Sequence, residues 1–216
     1  MTNFLPRLIT GIVYISLVSG SIIYSSRSFT FLFFILTLLA TYESHLLWNK
    51  IRLNNPNYYY PIPQVYVVLS MSTLMLVPFY FSESYTPFPI LLIFILIWIS
   101  DTMSYFFGSY FGKNKMNIIV SPNKTWEGFI GGFCCSLIFS IFSFEYFQEV
   151  YPYWKTILLG IFIPIFGLLG DIYQSKLKRM ASVKDSGRIL PGHGGLFDRL
   201  DSALGVSYIS LIITLI

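Results

Sequence analysis

Apolar runs of about twenty residues alternate with short polar segments along the chain. The runs lie near residues 5–24, 29–48, 63–81, 87–107, 128–147, 154–173 and 203–216. A helix needs about 20 apolar residues to cross the hydrocarbon core of a bilayer, and the first six runs are long enough. The seventh run is shorter, and it predicts either a tilted span or a C-terminal helix that rests on the others. The pattern predicts an all-α integral membrane protein, a polytopic helical bundle of about seven transmembrane helices forming one domain over residues 1–216.

The composition agrees with this class of protein. Of the 216 residues, 55% are hydrophobic and 11% are charged, which is too apolar for a soluble domain of this length. The net charge of +4 indicates basic loops facing an anionic leaflet, so we expect no binding to nucleic acid. Cys134 and Cys135 are adjacent within an apolar run and are expected to be small apolar fillers. The first run is followed by further runs, so we expect a retained helix there and not a signal peptide.

The basic residues predict the orientation of the bundle. With a cytoplasmic N-terminus and seven crossings, twelve of the 14 Lys and Arg residues lie on the cytoplasmic side, and only Arg27 and Lys155 lie opposite. This distribution follows the positive-inside rule. It places the most polar part of the chain, residues 170–202, on the cytoplasmic side, where nucleotides are found.

The polar stretch 170–202 has the features of a catalytic loop. Carboxylates suit a hard divalent cation, and basic side chains suit phosphates. The glycines of its PGHGG segment allow a positive φ or a close approach of the backbone to a ligand. A loop that only fixes topology needs none of these features. The charged residues of the stretch include four of the chain's five aspartates: Asp171, Asp185, Asp198, Asp201, Lys176, Lys178, Arg179, Lys184, Arg188 and Arg199.

Asp101 lies late in the fourth run, within WISDTMSYFFG. It shares one helix face with Ser104, Tyr105 and Gly108, because their spacing is i, i+3, i+4 and i+7. A carboxylate within a span is costly and usually faces a cavity or a partner. The alternative is an aspartate near the helix end that reaches water. Glu43 and His45, at the end of the second run, are assigned no role.

The segment SPNKTWEG, residues 121–128, precedes the fifth run. A Ser or Thr before the helix and a Glu in its first turn are typical of a helix cap. A helix N-terminus beside Lys124 is equally suited to bind a phosphate group. The residues leave both interpretations open.

The segment from Ser175 to Asp201 resembles the signature of the phosphatidate cytidylyltransferases, also called CDP-diacylglycerol synthases. The resemblance includes KR, KDSG, LPGHGGLFDRLD and, earlier in the chain, SPNKTWEG and the Asp101 block. Ser104 stands where the family is expected to have a small Ala. The start of the chain, Arg7 with Thr10 and Gly11, is similar to family N-termini.

The resemblance implies transfer of CMP from CTP to phosphatidic acid, giving CDP-diacylglycerol and pyrophosphate. It implies Mg²⁺ as cofactor, with a second cation as an open alternative, held by Asp171 and Asp198. Implied partners are CTP, phosphatidic acid and membrane lipids, with a homodimer as an option, in a bacterial cytoplasmic membrane with the site facing the cytoplasm. The catalytic residues expected on this basis are Asp171, Asp198, Asp201, His193, Lys178 and Arg179. The expected substrate-binding residues are Asp101, Ser121, Lys124, Thr125, Lys184, Asp185, Arg188, Gly194, Gly195 and Arg199.

Two points stay open at the level of the sequence. His193 is suited either to hydrogen-bond a phosphate or to donate a proton to the leaving group. A related CTP-dependent enzyme with another lipid acceptor is an alternative, as is a membrane transporter, because carboxylates within spans also mark ion pathways. A transporter is less favoured, because the charges are concentrated at one membrane face and no internal repeat is present.

Overall fold

A computed structural model describes residues 4–55, 57–58, 60–80, 84–187 and 194–216, with side chains from residue 9 onward. These residues form helices and connecting turns, and the one β-type contact among them is an isolated bridge between Lys115 and Thr125. Single 3₁₀ turns occur at Val77–Phe79 and Phe197–Arg199. The helices are α1 (Phe4–Tyr24), α2 (Ser26–Asn54), α3 (Ile62–Leu76), α4 (Phe88–Phe111), α5 (Trp126–Phe142), α6 (Phe144–Phe147), α7 (Tyr153–Met180) and α8 (Asp201–Leu215).

The predicted membrane helices are confirmed, with differences in length. In the part of the chain that the structure describes, four helical segments are long and apolar enough to cross a bilayer: Ser26–Asn54, Ile62–Phe79, Phe88–Phe111 and Tyr153–Met180. Three shorter apolar helices, Ile9–Tyr24, Trp126–Phe142 and Asp201–Leu215, fall on the remaining predicted runs. Large apolar side chains on the outer surface of the bundle are exposed, as expected where a helix faces lipid.

The expectation of one continuous helix over the fifth run, residues 128–147, is wrong. Helix α5 ends at Phe142, and the N–H of Ser143 donates to the carbonyl of Phe139. The turn at Ser143 starts the short helix α6 and brings the ring of Phe147 to 6.4 Å from that of Phe88, at the start of α4. Packing of Phe147, which is 7% exposed, therefore competes with continuation of the helix.

The predicted loop 170–202 is also corrected at its start. Helix α7 continues through Asp171 to Met180, so the connection to α8 begins only at Ala181. Residues 174–180 are mostly straight-chain helix formers, and Lys178 and Arg179 lie in the last turn, where cations interact favourably with the helix dipole. Three predicted catalytic side chains are thus held on a helix, which positions them more rigidly than a loop would.

The helices alternate in direction, and contacts identify the two ends of the bundle. At one end, the amide of Asn54 on α2 donates to the carbonyl of Met180 on α7 at 3.2 Å. At the other end, Nζ of Lys155 donates to the carbonyl of Thr214 near the end of α8 at 3.0 Å. Short connections between antiparallel neighbours account for this arrangement.

Helix α8 packs closely against the bundle, which is compatible with both predictions for the seventh run. Eight of its 15 residues are buried. It crosses α7 where Gly170 faces Gly205, and a Cβ atom on Gly170 would lie 2.8 Å from the Cα of Gly205. Any larger residue would push the helices apart. The close crossing brings the N-terminus of α8, with Asp201, against the part of α7 that carries Asp171.

The alternation predicts a labelling pattern for single cysteines introduced into a variant in which Cys134 and Cys135 are serine. Cysteines at Lys113 and Lys184, both exposed at the Asn54 end, should react with a membrane-impermeant maleimide from the cytoplasmic side. A cysteine at Glu149, exposed at the opposite end, should react from outside. Labelling of Lys113 and Lys184 from opposite sides would contradict the arrangement.

Candidate active site

A cavity of about 760 Å³ opens at the Asn54 end of the bundle, and most of the predicted site residues line it. Its wall comes from α1, α4, α5 with its preceding loop, α7, and the start of α8. One part of the wall is apolar and includes Ile15, Phe94, Ile97 and Trp98. The predicted residues on the wall are Asp101, Ser121, Lys124, Thr125, Asp171, Arg179, Asp198, Arg199 and Asp201.

Lys124 joins the loop before α5 to α7, because its Nζ forms an ion pair with Oδ2 of Asp171. A second connection runs through two hydroxyls: Ser121 Oγ donates to Ser175 Oγ at 3.1 Å, and Ser175 Oγ donates to Asp171 Oδ1 at 3.3 Å. The loop is held in shape by backbone bonds from Met116 N–H to Lys124 O and from Trp126 N–H to Asn114 O, each 2.9 Å long.

The two interpretations of SPNKTWEG are compatible in the structure. Thr125 is the N-cap of α5, and its Oγ1 accepts from the N–H of Gly128 at 3.2 Å. Glu127 bonds to Asn114 and so stabilises the loop. Lys124 and Ser121 remain on the cavity wall. The cap therefore fixes the helix start, while the neighbouring residues face the site.

Asp198 is the most heavily bonded carboxylate of the site. Its Oδ1 accepts from Lys178 Nζ at 2.8 Å, and its Oδ2 accepts from the N–H of Ser186 at 2.8 Å and of Gly195 at 3.2 Å. Burial by itself would raise the pKa of Asp198, but the hydrogen bond and charge of Lys178 and the two backbone donors hold that pKa below its usual value. The carboxylate is therefore ionised at neutral pH.

Asp101 and Asp201 meet at Ser202. Ser202 Oγ donates to Asp101 Oδ1 at 3.1 Å, and the Ser202 N–H donates to Asp201 Oδ1 at 2.8 Å. Asp101 is exposed to the cavity, and Ser104, Tyr105 and Gly108 line the same wall, as their shared helix face predicts. Asp101 thus faces a cavity, which was the first of its two interpretations. Asp171 lies on the same wall, so three carboxyl groups line this side of the cavity.

Other predicted residues lie away from this wall. Lys178 does not line the cavity, but its Nζ donates a hydrogen bond to Asp198, which does. Lys184 and Asp185 are exposed on the connection between α7 and α8. Gly194 has φ +83°, as the glycine prediction for this segment requires, and Gly195 lies too close to Ser186 for any side chain. Arg188 and His193 lie outside the described residues.

Three contributors were missed at the level of the sequence. Tyr14 of α1 and Ser202 line the cavity. Glu43, to which no role was assigned, is buried in α2 and bonds to the segment that carries Asp198. The available signal for Glu43 was its position near the end of an apolar run, since a carboxylate within a span is costly and usually has a partner.

Comparison with known proteins agrees with this geometry. A family model described as "Cytidylyltransferase family" matches residues 59–216, about three quarters of the chain and all of the polar site segments. The chain belongs to the cytidylyltransferase family. Family membership favours an enzyme over the transporter considered above.

Three bacterial relatives carry the name of an enzyme activity. The chain is 50% identical over 117 residues to a protein named "Phosphatidate cytidylyltransferase" from Staphylococcus haemolyticus. It is 46% and 47% identical over the same length to proteins of that name from Staphylococcus saprophyticus and Staphylococcus aureus. Each match covers 54% of this chain and 45% of the relative. The chain therefore matches about half the length of these curated relatives.

Proposed function

We propose that this protein is a phosphatidate cytidylyltransferase, which transfers CMP from CTP to phosphatidic acid and releases pyrophosphate. The observation that carries the proposal is the cavity wall, where both signs of charge adjoin an apolar surface. Such a cavity suits a ligand that combines phosphate groups with acyl chains. Family membership and the printed name of the relatives support the same activity.

The reaction needs no side-chain nucleophile. An oxygen of the lipid phosphate, already anionic at neutral pH, attacks the α-phosphorus of CTP. The new P–O bond forms as the bond to the pyrophosphate oxygen breaks, and the electron pair leaves with pyrophosphate. Catalysis then consists of holding two anionic groups in line and stabilising the charge that develops.

The basic residues on the wall supply much of that stabilisation. Lys124, Arg179 and Arg199 lie on the wall and come from three different segments. Arg offers a planar fork to phosphate oxygens, and Lys acts as a point charge. The apolar wall around Phe94 and Trp98 accommodates the acyl chains, so that the lipid phosphate lies towards the charged end.

The carboxylate oxygens on the wall are suitable ligands for a magnesium ion. Four aspartates face the cavity, and carboxylate oxygens are the ligands that Mg²⁺ prefers. Among the residues that the structure describes, no three acidic, His or Cys side chains form a ligand cluster. Mg²⁺ often uses only one or two carboxylates, with waters and substrate phosphates as its other ligands. Asp171 and Asp198 would hold the ion, which would neutralise phosphate charge and so make pyrophosphate a better leaving group.

The setting of the enzyme is part of the proposal. The distribution of basic residues and the bacterial relatives support a cytoplasmic membrane with the site facing the cytoplasm. CTP and phosphatidic acid are the proposed partners, within a bilayer of membrane lipids. A homodimer stays a prediction.

The acceptor is tested with purified protein in lipid nanodiscs, CTP labelled at the α-phosphate, magnesium and a panel of lipid phosphates. We expect label in the lipid phase with diacyl phosphatidic acid, and little with a polyprenyl phosphate or an archaeal ether-lipid phosphate. If the protein prefers one of these other lipid phosphates, the proposed acceptor is wrong, but the protein is still a CTP-dependent cytidylyltransferase.

Lys124→Ala should raise the CTP requirement and lower turnover by about 100-fold, the typical cost of removing one donor that stabilises transition-state charge. It also leaves Asp171 without its ion-pair partner. Steady-state kinetics in nanodiscs measure the effect. Lys113→Ala removes an equal charge from an exposed position earlier in the same loop, and it should leave turnover unchanged. If both variants had the same kinetics, SPNKTWEG would serve only to cap the helix and would have no role in binding phosphate.

A further inference from the structure

Glu43 lies inside an apolar helix and is 1% exposed. Among the described residues, neither ion pair involves it, since these join Lys124 to Asp171 and Lys178 to Asp198. Burying a carboxylate is expensive unless hydrogen bonds compensate for the lost water. A carboxylate kept at such a position therefore points to a specific task.

Among the described residues, the side-chain hydrogen bonds of Glu43 go to the connection between α7 and α8. Its Oε2 accepts from the N–H of Phe197 at 2.8 Å and from Oγ of Ser186 at 3.1 Å. Phe197 directly precedes Asp198 in the chain. Ser186 also contacts Asp198, with its Oγ 3.0 Å and its N–H nitrogen 2.8 Å from Oδ2. Glu43 thus holds the two backbone segments that set the position of the Asp198 carboxylate.

Two glycines of the connection between α7 and α8 pack tightly against the Glu43 carboxylate. A Cβ atom on Gly187 would lie 2.1 Å from Oε1, and one on Gly195 would lie 2.5 Å from Oε2. Both distances are far below van der Waals contact. The carboxylate is therefore enclosed by two loop segments that are eight positions apart in the chain, and glycine at both positions is what lets them close on it.

We propose that Glu43 is a positioning residue for the cytidylyltransferase reaction: it fixes the connection between α7 and α8 so that Asp198 faces the cavity and keeps its hydrogen bond to Lys178. The proposal rests on the proposed function. Glu43 itself is not on the cavity wall, so it acts through Ser186 and Phe197. Helix α2 precedes residues 59–216, to which the family model is matched, so a helix outside that segment completes the site.

The first test compares Glu43→Ala and Glu43→Gln with Ser44→Ala. Glu43→Ala should lower kcat by about 10- to 100-fold, the usual range for a residue that orients the residues of a site without contacting the substrate. The change in KM for CTP should be smaller. Glu43→Gln keeps an oxygen acceptor for both donors and should stay within about threefold of wild type, since only hydrogen bonds to the charge are weakened. Ser44 is equally buried and bonds only within its own helix, so Ser44→Ala should be unaffected.

A double-mutant cycle with Gly187→Ala adds a test of contact. Gly187→Ala should lower kcat strongly in the wild type, because the new methyl group collides with the Glu43 carboxylate. In the Glu43→Ala background the space is free, so the same change should have little further effect. Such coupling is expected for residues that are in contact and is absent between distant, independent sites.

Hydrogen exchange of the peptide containing Phe197 supplies a readout that does not depend on activity. Exchange of this peptide should be faster in Glu43→Ala than in wild type, while peptides of α5 are unchanged. Unchanged exchange together with wild-type kcat, or a Glu43→Gln variant as impaired as Glu43→Ala, would overturn the proposal. A wild-type protein that forms no CDP-diacylglycerol, with faster exchange in Glu43→Ala, would instead reject the proposed function and keep the structural role.

Discussion

Asp171→Asn and Asp198→Asn are each expected to lose nearly all turnover, by about 1000-fold or more, as is typical for residues that act as a unit with a cofactor. The change nearly conserves size but removes the negative charge that a hard cation requires. In Asp198→Asn, the amide nitrogen also faces either Lys178 or the backbone donors of Ser186 and Gly195, so at least one hydrogen bond becomes a contact between two donors. Turnover is measured with saturating CTP and magnesium.

The double variant should be scarcely worse than either single variant, because both changes disable the same unit. Folded protein, followed by size-exclusion chromatography, should change little, because the buried apolar core lies mainly within the helices. Asp201→Asn should also be severe, since Asp201 lies on the wall beside Ser202. Asp185→Asn is the matched control: Asp185 is exposed and away from the wall, so a milder loss is expected. Near wild-type turnover of both single variants would exclude a metal shared by these residues.

Removal of divalent cations should abolish activity completely. Acidic and basic side chains lie side by side on the cavity wall. Two negatively charged substrates repel one another, and a bound metal ion would reduce that repulsion. Treatment with EDTA followed by gel filtration should leave an inactive, folded protein. Magnesium should restore turnover, and calcium should restore less, because Ca²⁺ prefers longer bonds and more ligands. Full activity after exhaustive EDTA treatment would contradict the metal proposal.

The membrane class and the charged residues of the cavity wall were predictable from the sequence, for physical reasons. Apolar runs must form helices in a bilayer, since every backbone polar group has to be bonded internally. Asp101 was predictable because a carboxylate within a span needs water or a partner, and it does face the cavity. The clustering of basic residues on one side placed Lys124 with the 170–202 stretch, and its ion pair with Asp171 agrees.

The ends of the helices and the contact of Glu43 with the site were less predictable from the sequence. Helix α7 continues for about two turns beyond its apolar run. A hydropathy profile does not predict this extension, because the charged residues there lower the hydropathy even though they favour a helix. The break at Ser143 depends on where Phe147 packs, which is a tertiary effect. Glu43 was missed because its partners are more than 140 positions away in the chain, and no local pattern signals such a contact.

The most direct test of the proposed function measures both products of one reaction. Purified wild-type protein in nanodiscs receives CTP labelled at the α-phosphate, phosphatidic acid and magnesium, and the lipid-phase label and the pyrophosphate are quantified together. The account predicts CDP-diacylglycerol and pyrophosphate in a one-to-one ratio, with neither product formed when phosphatidic acid is omitted. Pyrophosphate release without lipid acceptor, or the absence of label in the lipid phase, would contradict it.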